Sequence, residues 1–74
     1  MKLHSHRSFE IQIHTADGGY VSEIYRKGKL LYIVNNKEAT EGLFKSEVLA
    51  LEGATAWIDH MFPPERIRYF GELS

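Results

Sequence analysis

The chain has 74 residues, with 9 Lys and Arg against 10 Asp and Glu, so its formal net charge is -1. It contains no cysteine, and no apolar run approaches the roughly 18 residues of a membrane span. These features argue against a disulfide scaffold, a cysteine-ligated zinc site and non-specific binding to polyanions. We expect one small domain over residues 1–74, with a folded part at about 8–62 and an unassigned tail at 63–74.

No export signal precedes the first predicted strand. The segment Met1–Arg7 lacks the apolar stretch that follows the charged residues of a signal peptide. We therefore expect a cytoplasmic location and no membrane partner.

Residues 8–15 alternate strictly between apolar and polar side chains. Phe9, Ile11 and Ile13 fall on one side of an extended chain, and Glu10 falls on the other. A period of two predicts a half-buried β-strand. The next segment, 16–19, contains an Asp and two glycines, which favour a turn.

Two further strands are predicted, from Tyr20 to Arg26 and from Leu30 to Val34. Between them, Lys27-Gly28 suits a two-residue hairpin loop because its second residue is glycine. Antiparallel pairing about both turns places seven large side chains on one face. They are Phe9, Ile11, Ile13, Tyr20, Ile24, Leu31 and Ile33.

One amphipathic helix is predicted after the strands. Ser46 suits the N-cap, and the acidic side chain of Glu47 suits the first turn. Gly53 is interpreted as a point where the helix approaches the sheet closely, and Pro63-Pro64 ends the helix. The apolar stripe at helical spacing consists of Ala50, Leu51, Ala54, Trp57, Ile58 and Met61.

The predicted fold is therefore α+β, with the order β-β-β-α. A three-stranded antiparallel meander carries one C-terminal helix packed on one face, as a two-layer sandwich. The other face of the sheet is left without a covering element.

That open face is predicted to carry a cluster of apolar side chains. The register places there Val21, Tyr25, Leu30, Tyr32 and Val34. An exposed apolar patch typically marks an interaction surface, so we expect a non-enzymatic protein-interaction or accessory domain that binds a protein partner or forms a homodimer. The other explanation left open is cover by the tail, through Ile67, Tyr69 and Phe70.

The alternative function is a nucleic-acid-binding module. Tyr25 and Tyr32 would stack under bases. Arg26, Lys27 and Lys29 in the basic turn would contact phosphates. The same turn is also typical of a solvated edge hairpin that resists aggregation.

No motif indicates catalysis, a cofactor or a metal. The sequence has no nucleophile motif, no glycine-rich phosphate loop before a helix and no His-Glu metal-binding helix. Glu10 and Glu23 share a sheet face but lie diagonally, as solvated surface carboxylates do. His4 and His6 would face one way in a strand and chelate an ion with His14, but this spacing is not specific to a metal site.

Several motifs between Phe9 and Asp59 resemble a group of short, functionally uncharacterised bacterial domains of β-β-β-α order. The matching segments are Phe9-Glu10-Ile11-Gln12-Ile13, Asp17-Gly18, Tyr25-Arg26-Lys27-Gly28-Lys29-Leu30, Phe44-Lys45-Ser46-Glu47, Gly53 and Trp57-Ile58-Asp59. These motifs are structural, so the resemblance implies a fold and no particular activity.

The same order is similar to the C-terminal part of double-stranded-RNA-binding domains. Those domains add a helix before the first strand and a lysine cluster at the start of the last helix. Here seven residues precede Ser8, and only Lys45 stands near the helix start, with Glu47 after it. The departures fall on the RNA-contacting elements, so this resemblance does not imply RNA binding.

Overall fold

The computed structural model describes residues 2–63, which form an antiparallel sheet covered on one face by a helix. The elements are β1 (Lys2–His6), β2 (Phe9–Ala16), β3 (Gly19–Arg26), β4 (Lys29–Val34) and α1 (Glu47–Met61). The predicted α+β class with a C-terminal helix is confirmed. The predicted number of strands is wrong, because the sheet has four strands in the order β1-β2-β3-β4.

Two further points concern the ends of the described segment. The proposed cover by Ile67, Tyr69 and Phe70 falls outside the described residues. Within residues 2–63, no helix has the length and apolar character needed to cross a bilayer.

The strand that sequence analysis missed is β1, which lies before residue 8. It pairs with β2 from Lys2↔Ile13 to His6↔Phe9. The two residues between them have positive φ, 53° at Arg7 and 73° at Ser8. A type I′ hairpin loop requires this backbone, but Gly, Asn and Asp are its usual residues. Nothing in the Arg-Ser dipeptide therefore indicated a hairpin.

The β2–β3 hairpin has the predicted register. Ile11 pairs with Ile24 and Ile13 pairs with Ser22, around a loop formed by Asp17-Gly18. All four of these paired residues are buried. The strict alternation of β2 was sufficient to orient this half of the sheet, because one face of both strands must be buried.

A β-bulge changes the register of β4. The pairs Arg26↔Lys29 and Tyr25↔Leu30 match the prediction, but the next pair is Ile24↔Tyr32, which leaves Leu31 as an extra residue. A bulge of one residue reverses the faces of every side chain beyond it. The predicted pairing of Ile24 with Leu31 is therefore wrong.

The bulge moves two residues of the predicted open face to the helix side. Val34 is 8% exposed and belongs to the core, and Tyr32 packs against α1. Leu31 and Ile33, which were predicted to be core residues, are each 42% exposed. The sequence did not show this because the run Leu30–Val34 is uniformly apolar and has no alternation to reveal an extra residue.

The helix α1 begins and packs as its sequence predicts. The side chain of Ser46 accepts a hydrogen bond of 3.1 Å from the amide of Leu49, as an N-cap does. Ala50, Ala54 and Ile58 are fully buried against the sheet. Met61 was predicted to join this stripe, but it is 53% exposed because it lies in the last turn, at the edge of the interface.

The small residues of α1 allow a close approach to the sheet. The hydroxyl of Ser22 on β3 donates a buried hydrogen bond of 2.6 Å to the carbonyl of Ala50. Gly53 has a different role from the predicted one. A Cβ at Gly53 would lie 2.7 Å from the ring of Phe44 and 3.5 Å from Val34, so the closest contact is with the loop before the helix.

Polar contacts join β1 to α1. His6 Nε2 and Arg7 Nη1 both lie 2.9 Å from Asp59 Oδ1, and Lys2 Nζ lies 3.8 Å from Glu47 Oε2. The hydrogen bond with His6, followed by that with Arg7, holds the pKa of Asp59 below its ordinary value of 3.8. These contacts support the fold above the ordinary pKa range and are lost as the pH falls through the lowered value.

Gly19 is expected to tolerate no side chain. A Cβ there would lie 2.4 Å from the carbonyl oxygen of Phe44 and 2.8 Å from Cβ of Leu43, and this backbone pairs with Tyr20 at 2.8 and 2.9 Å. Gly19→Ala should lower the free energy of unfolding by about 2 kcal/mol or more. Urea denaturation measures this.

Gly28→Asn is the control for Gly19→Ala. Gly28 has open space around it, and asparagine accepts its positive φ of 81°. An equal loss of stability in both variants would contradict the close contact at Gly19.

His6→Ala is expected to raise the pKa of Asp59 towards 3.8, because it removes the largest cause of the lowering. The measurement is a pH titration of the Asp59 carboxyl carbon by NMR. His4→Ala, on the same side of β1, is the control and should leave the Asp59 titration unchanged. An unaltered Asp59 pKa in His6→Ala would show that the His6 contact does not form.

Candidate functional site

The residues predicted to form one interaction surface lie on both faces of the sheet. Val21, Tyr25 and Leu30 are on the open face, where the sequence placed them. Tyr32 and Val34 are on the helix face, because of the bulge. The structure therefore does not bring the five residues together as one patch.

Hydrogen-bonded polar groups occupy the centre of the open face. Glu23 Oε1 accepts a hydrogen bond of 2.8 Å from the Tyr25 hydroxyl and lies 2.8 Å from His14 Nε2. Gln12 donates to Glu10 at 2.8 Å. Apolar side chains at the centre would be needed for a dry interface over the whole face, and this network interrupts them.

Tyr25 is tied to this network through its hydroxyl. Its hydrogen bond to Glu23 raises its pKa above 10.0. Desolvation and the negative charges of Glu23 and Glu10 act in the same direction, with smaller effects. The phenol is therefore a donor to a carboxylate.

The exposed apolar surface is concentrated along β4, which forms an edge of the sheet. Four consecutive large side chains are exposed: Leu30 by 48%, Leu31 by 42%, Tyr32 by 39% and Ile33 by 42%. Edge strands usually carry charged side chains or proline, which prevent pairing with other chains. In β4 the only charged residue is Lys29, at its first position.

The opposite edge, β1, is different. Its helix-side residues Lys2 and His6 form ion pairs with α1. Leu3 is its one large apolar residue and is 61% exposed on the open face, in the same cross-strand row as Ile33. The two edges of one sheet are therefore unequal in apolar exposure.

A cleft of about 510 Å³ lies beside β4 on the helix side. Its apolar wall includes Tyr32, Phe44 and Trp57, and the rings of Tyr32 and Trp57 stack at 4.8 Å with an angle of 7°. Its polar rim includes Asn35–Glu38 and His60. A cleft of this volume is large enough to accept side chains from a bound segment.

Hydrogen bonds fix the loop that forms the rim. The amide of Asn36 donates to the carbonyl of Gly42 at 2.8 Å, and its side chain donates to the carbonyl of Leu43 at 3.2 Å. The side-chain oxygen of Asn36 accepts from the amide of Glu38 at 3.0 Å. The cleft is therefore formed before any partner binds.

The residues assigned to the nucleic-acid alternative are also separated. Tyr25 and Tyr32 lie on opposite faces of the sheet. The guanidinium of Arg26 lies 4.8 Å from the ring centre of Phe9, in a cation–π contact on the helix side. Lys27 and Lys29 are exposed beside the turn.

The histidines do not form a shared site. His4 pairs with Ile11 and lies on the helix side, whereas His14 pairs with Val21 and lies on the open face. Among residues 2–63, no group of three or more His, Cys, Asp or Glu side chains is arranged to hold a metal ion.

Comparisons with protein-family models, curated proteins and solved structures find no match to this chain. The resemblance to short bacterial β-β-β-α domains therefore stays a prediction.

Sequence reasoning missed the apolar edge and assigned Leu31, Ile33 and Trp57 to the core. One signal was available. The five-residue apolar run Leu30–Val34 is too continuous for a strand that buries only one face.

Glu23→Gln is expected to lower the pKa of Tyr25 towards 10.0, because it removes the hydrogen bond to a carboxylate and the nearest negative charge. NMR titration of the Tyr25 ring carbons measures this. Glu10→Gln is the control and should have a smaller effect, because the charge of Glu10 is the weakest contribution. Equal shifts in the two variants would contradict the Glu23–Tyr25 contact.

Proposed function

We propose that this protein is a non-enzymatic protein-interaction domain that binds an extended protein segment as an additional strand along β4. One observation carries the proposal. The edge strand β4 exposes four consecutive large apolar side chains beside a cleft that is already formed.

Strand addition uses both features of this edge. The backbone of β4 supplies hydrogen bonds to a new strand, and alternate side chains of that strand point to opposite faces. Those on the helix side would enter the cleft beside Tyr32 and Trp57. Those on the other side would pack on Leu30 and Ile33 at the margin of the open face.

The edge supports an interaction function better than the whole open face does. The open face has the hydrogen-bonded pairs of Glu23 and Glu10 at its centre, and burying them would require desolvation of carboxylates. Val21, Tyr25 and Leu30 contribute only the part of that face nearest to β3 and β4.

The nucleic-acid alternative has less support. Tyr25 and Tyr32 do not form one stacking surface, and Arg26 is already in contact with Phe9. The formal net charge of -1 provides no general attraction to phosphates.

A peptide with the sequence of residues 28–35 is a direct probe for strand addition. Added to dilute, isotope-labelled full-length protein, it should shift the NMR signals of β4 and of Trp57, and leave those of β1 unchanged. The physical reason is that β4 offers both unpaired backbone groups and apolar contacts.

The matched control is the same peptide with methylated backbone nitrogens, which cannot donate the main-chain hydrogen bonds. It should produce no shift at β4. If the unmodified peptide causes no shift, or acts equally on β1, then β4 is not a strand-binding edge.

A further inference from the structure

We infer that the strand added to β4 is β4 of a second copy of this chain, paired antiparallel about a two-fold axis at Tyr32. The inference rests on the proposed function and names its partner. Pairing of this kind would join the two four-stranded sheets into one continuous sheet.

The free backbone groups of β4 can be located from the hairpins. Ala16 and Gly19 flank a two-residue loop and form a hydrogen-bonded pair, and such pairs alternate with non-hydrogen-bonded ones. Counting along β3, Glu23 bonds to Gln12 on β2. Its pair with Ile33 is then non-hydrogen-bonded, so the amide and carbonyl of Ile33 point to the outer side of β4.

A second copy fits these groups because antiparallel edges are self-complementary. A two-fold axis places the same strand, reversed, against itself, and the pairing closes after two chains. Centred on Tyr32, it sets Ile33 opposite Leu31 of the partner subunit, where their main chains meet. This register covers the exposed stretch 30–33 and leaves Lys29 outside it, opposite Asn35 of the partner subunit.

Charge also favours this partner. Antiparallel pairing brings the start of each β4 to the end of the other. The exposed Lys27 and Lys29 lie at the start, and the loop after the end carries Glu38 and Glu41, with Lys37 offsetting one of these charges. The basic turn of one copy therefore meets a loop of net negative charge on the other, at both ends of the interface.

The helix side of the pair is equally consistent. Each Tyr32 is stacked on its own Trp57 and is 39% exposed. Pairing at Tyr32 would place the two stacks side by side across the axis and cover the exposed part of both rings. Aromatic side chains at the centre of an interface contribute strongly to binding.

The main experiment is sedimentation equilibrium of the full chain over a wide concentration range. We expect twice the monomer mass of 8.5 kDa at high concentration. Ile33→Lys should weaken association by about 100-fold, because it places a charge at the centre of the paired edge. Leu3→Lys is the matched control, since Leu3 is the exposed apolar residue at the other end of the same row, and association should be unchanged.

Charge exchange tests the antiparallel arrangement. Lys29→Glu and Glu38→Lys should each weaken self-association at low salt by roughly two- to five-fold, because each sets like charges together at both ends. A mixture of the two variants should recover wild-type affinity, because opposite charges then meet at both ends. A mixture that associates no better than either variant alone overturns this register.

The outcomes separate the partner from the function. A monomer at every concentration, or a dimer unaffected by Ile33→Lys, overturns the second copy as the partner. If the 28–35 peptide still binds β4 in that case, the strand-binding function stands and its partner is another chain. Concentration-independent protection of the Ile33 amide in hydrogen exchange would instead assign the edge to a segment of the same chain, which also overturns this inference.

Discussion

The close packing of α1 on the middle of the sheet determines what the rest of the molecule can do. Ala50 and Ala54 present almost no side chain, and the Ser22 hydroxyl bonds to the helix backbone at 2.6 Å. A helix about 10 Å wide covers roughly two strands spaced by about 4.8 Å. In a sheet of four strands, both edges therefore remain outside its cover.

The two edges differ in how they respond to that exposure. At β1, ion pairs from His6 and Arg7 to Asp59 join the strand to the helix, and charged side chains discourage pairing with another chain. At β4, the helix side is filled by aromatic stacking between Tyr32 and Trp57, and the outer side keeps its apolar residues exposed. A fold with one protected edge and one exposed edge is suited to directed pairing, because only one of its edges can accept a partner without burying charge.

The extent to which this fold could be predicted follows from where its sequence alternates. Phe9 to Ile13 alternates strictly, and Ser46 starts an evident helix, so the β2–β3 register and α1 were predictable. The turn at Arg7-Ser8 has an unfavourable composition for its backbone, and the run Leu30–Val34 has no period, so β1 and the bulge were not. The candidate site was least predictable, since it depends on the bulge.

That bulge makes one residue of β4 a determinant of surface identity. Without Leu31, regular pairing would turn Ile33 towards α1 and turn Tyr32 and Val34 outward, as the simple hairpin register would have it. A single-codon deletion or insertion at this point would therefore exchange the inner and outer halves of the strand while leaving its composition almost intact. For a lineage carrying this fold, such length changes in β4 offer a short route between different surface chemistries, one that needs no gradual replacement of side chains.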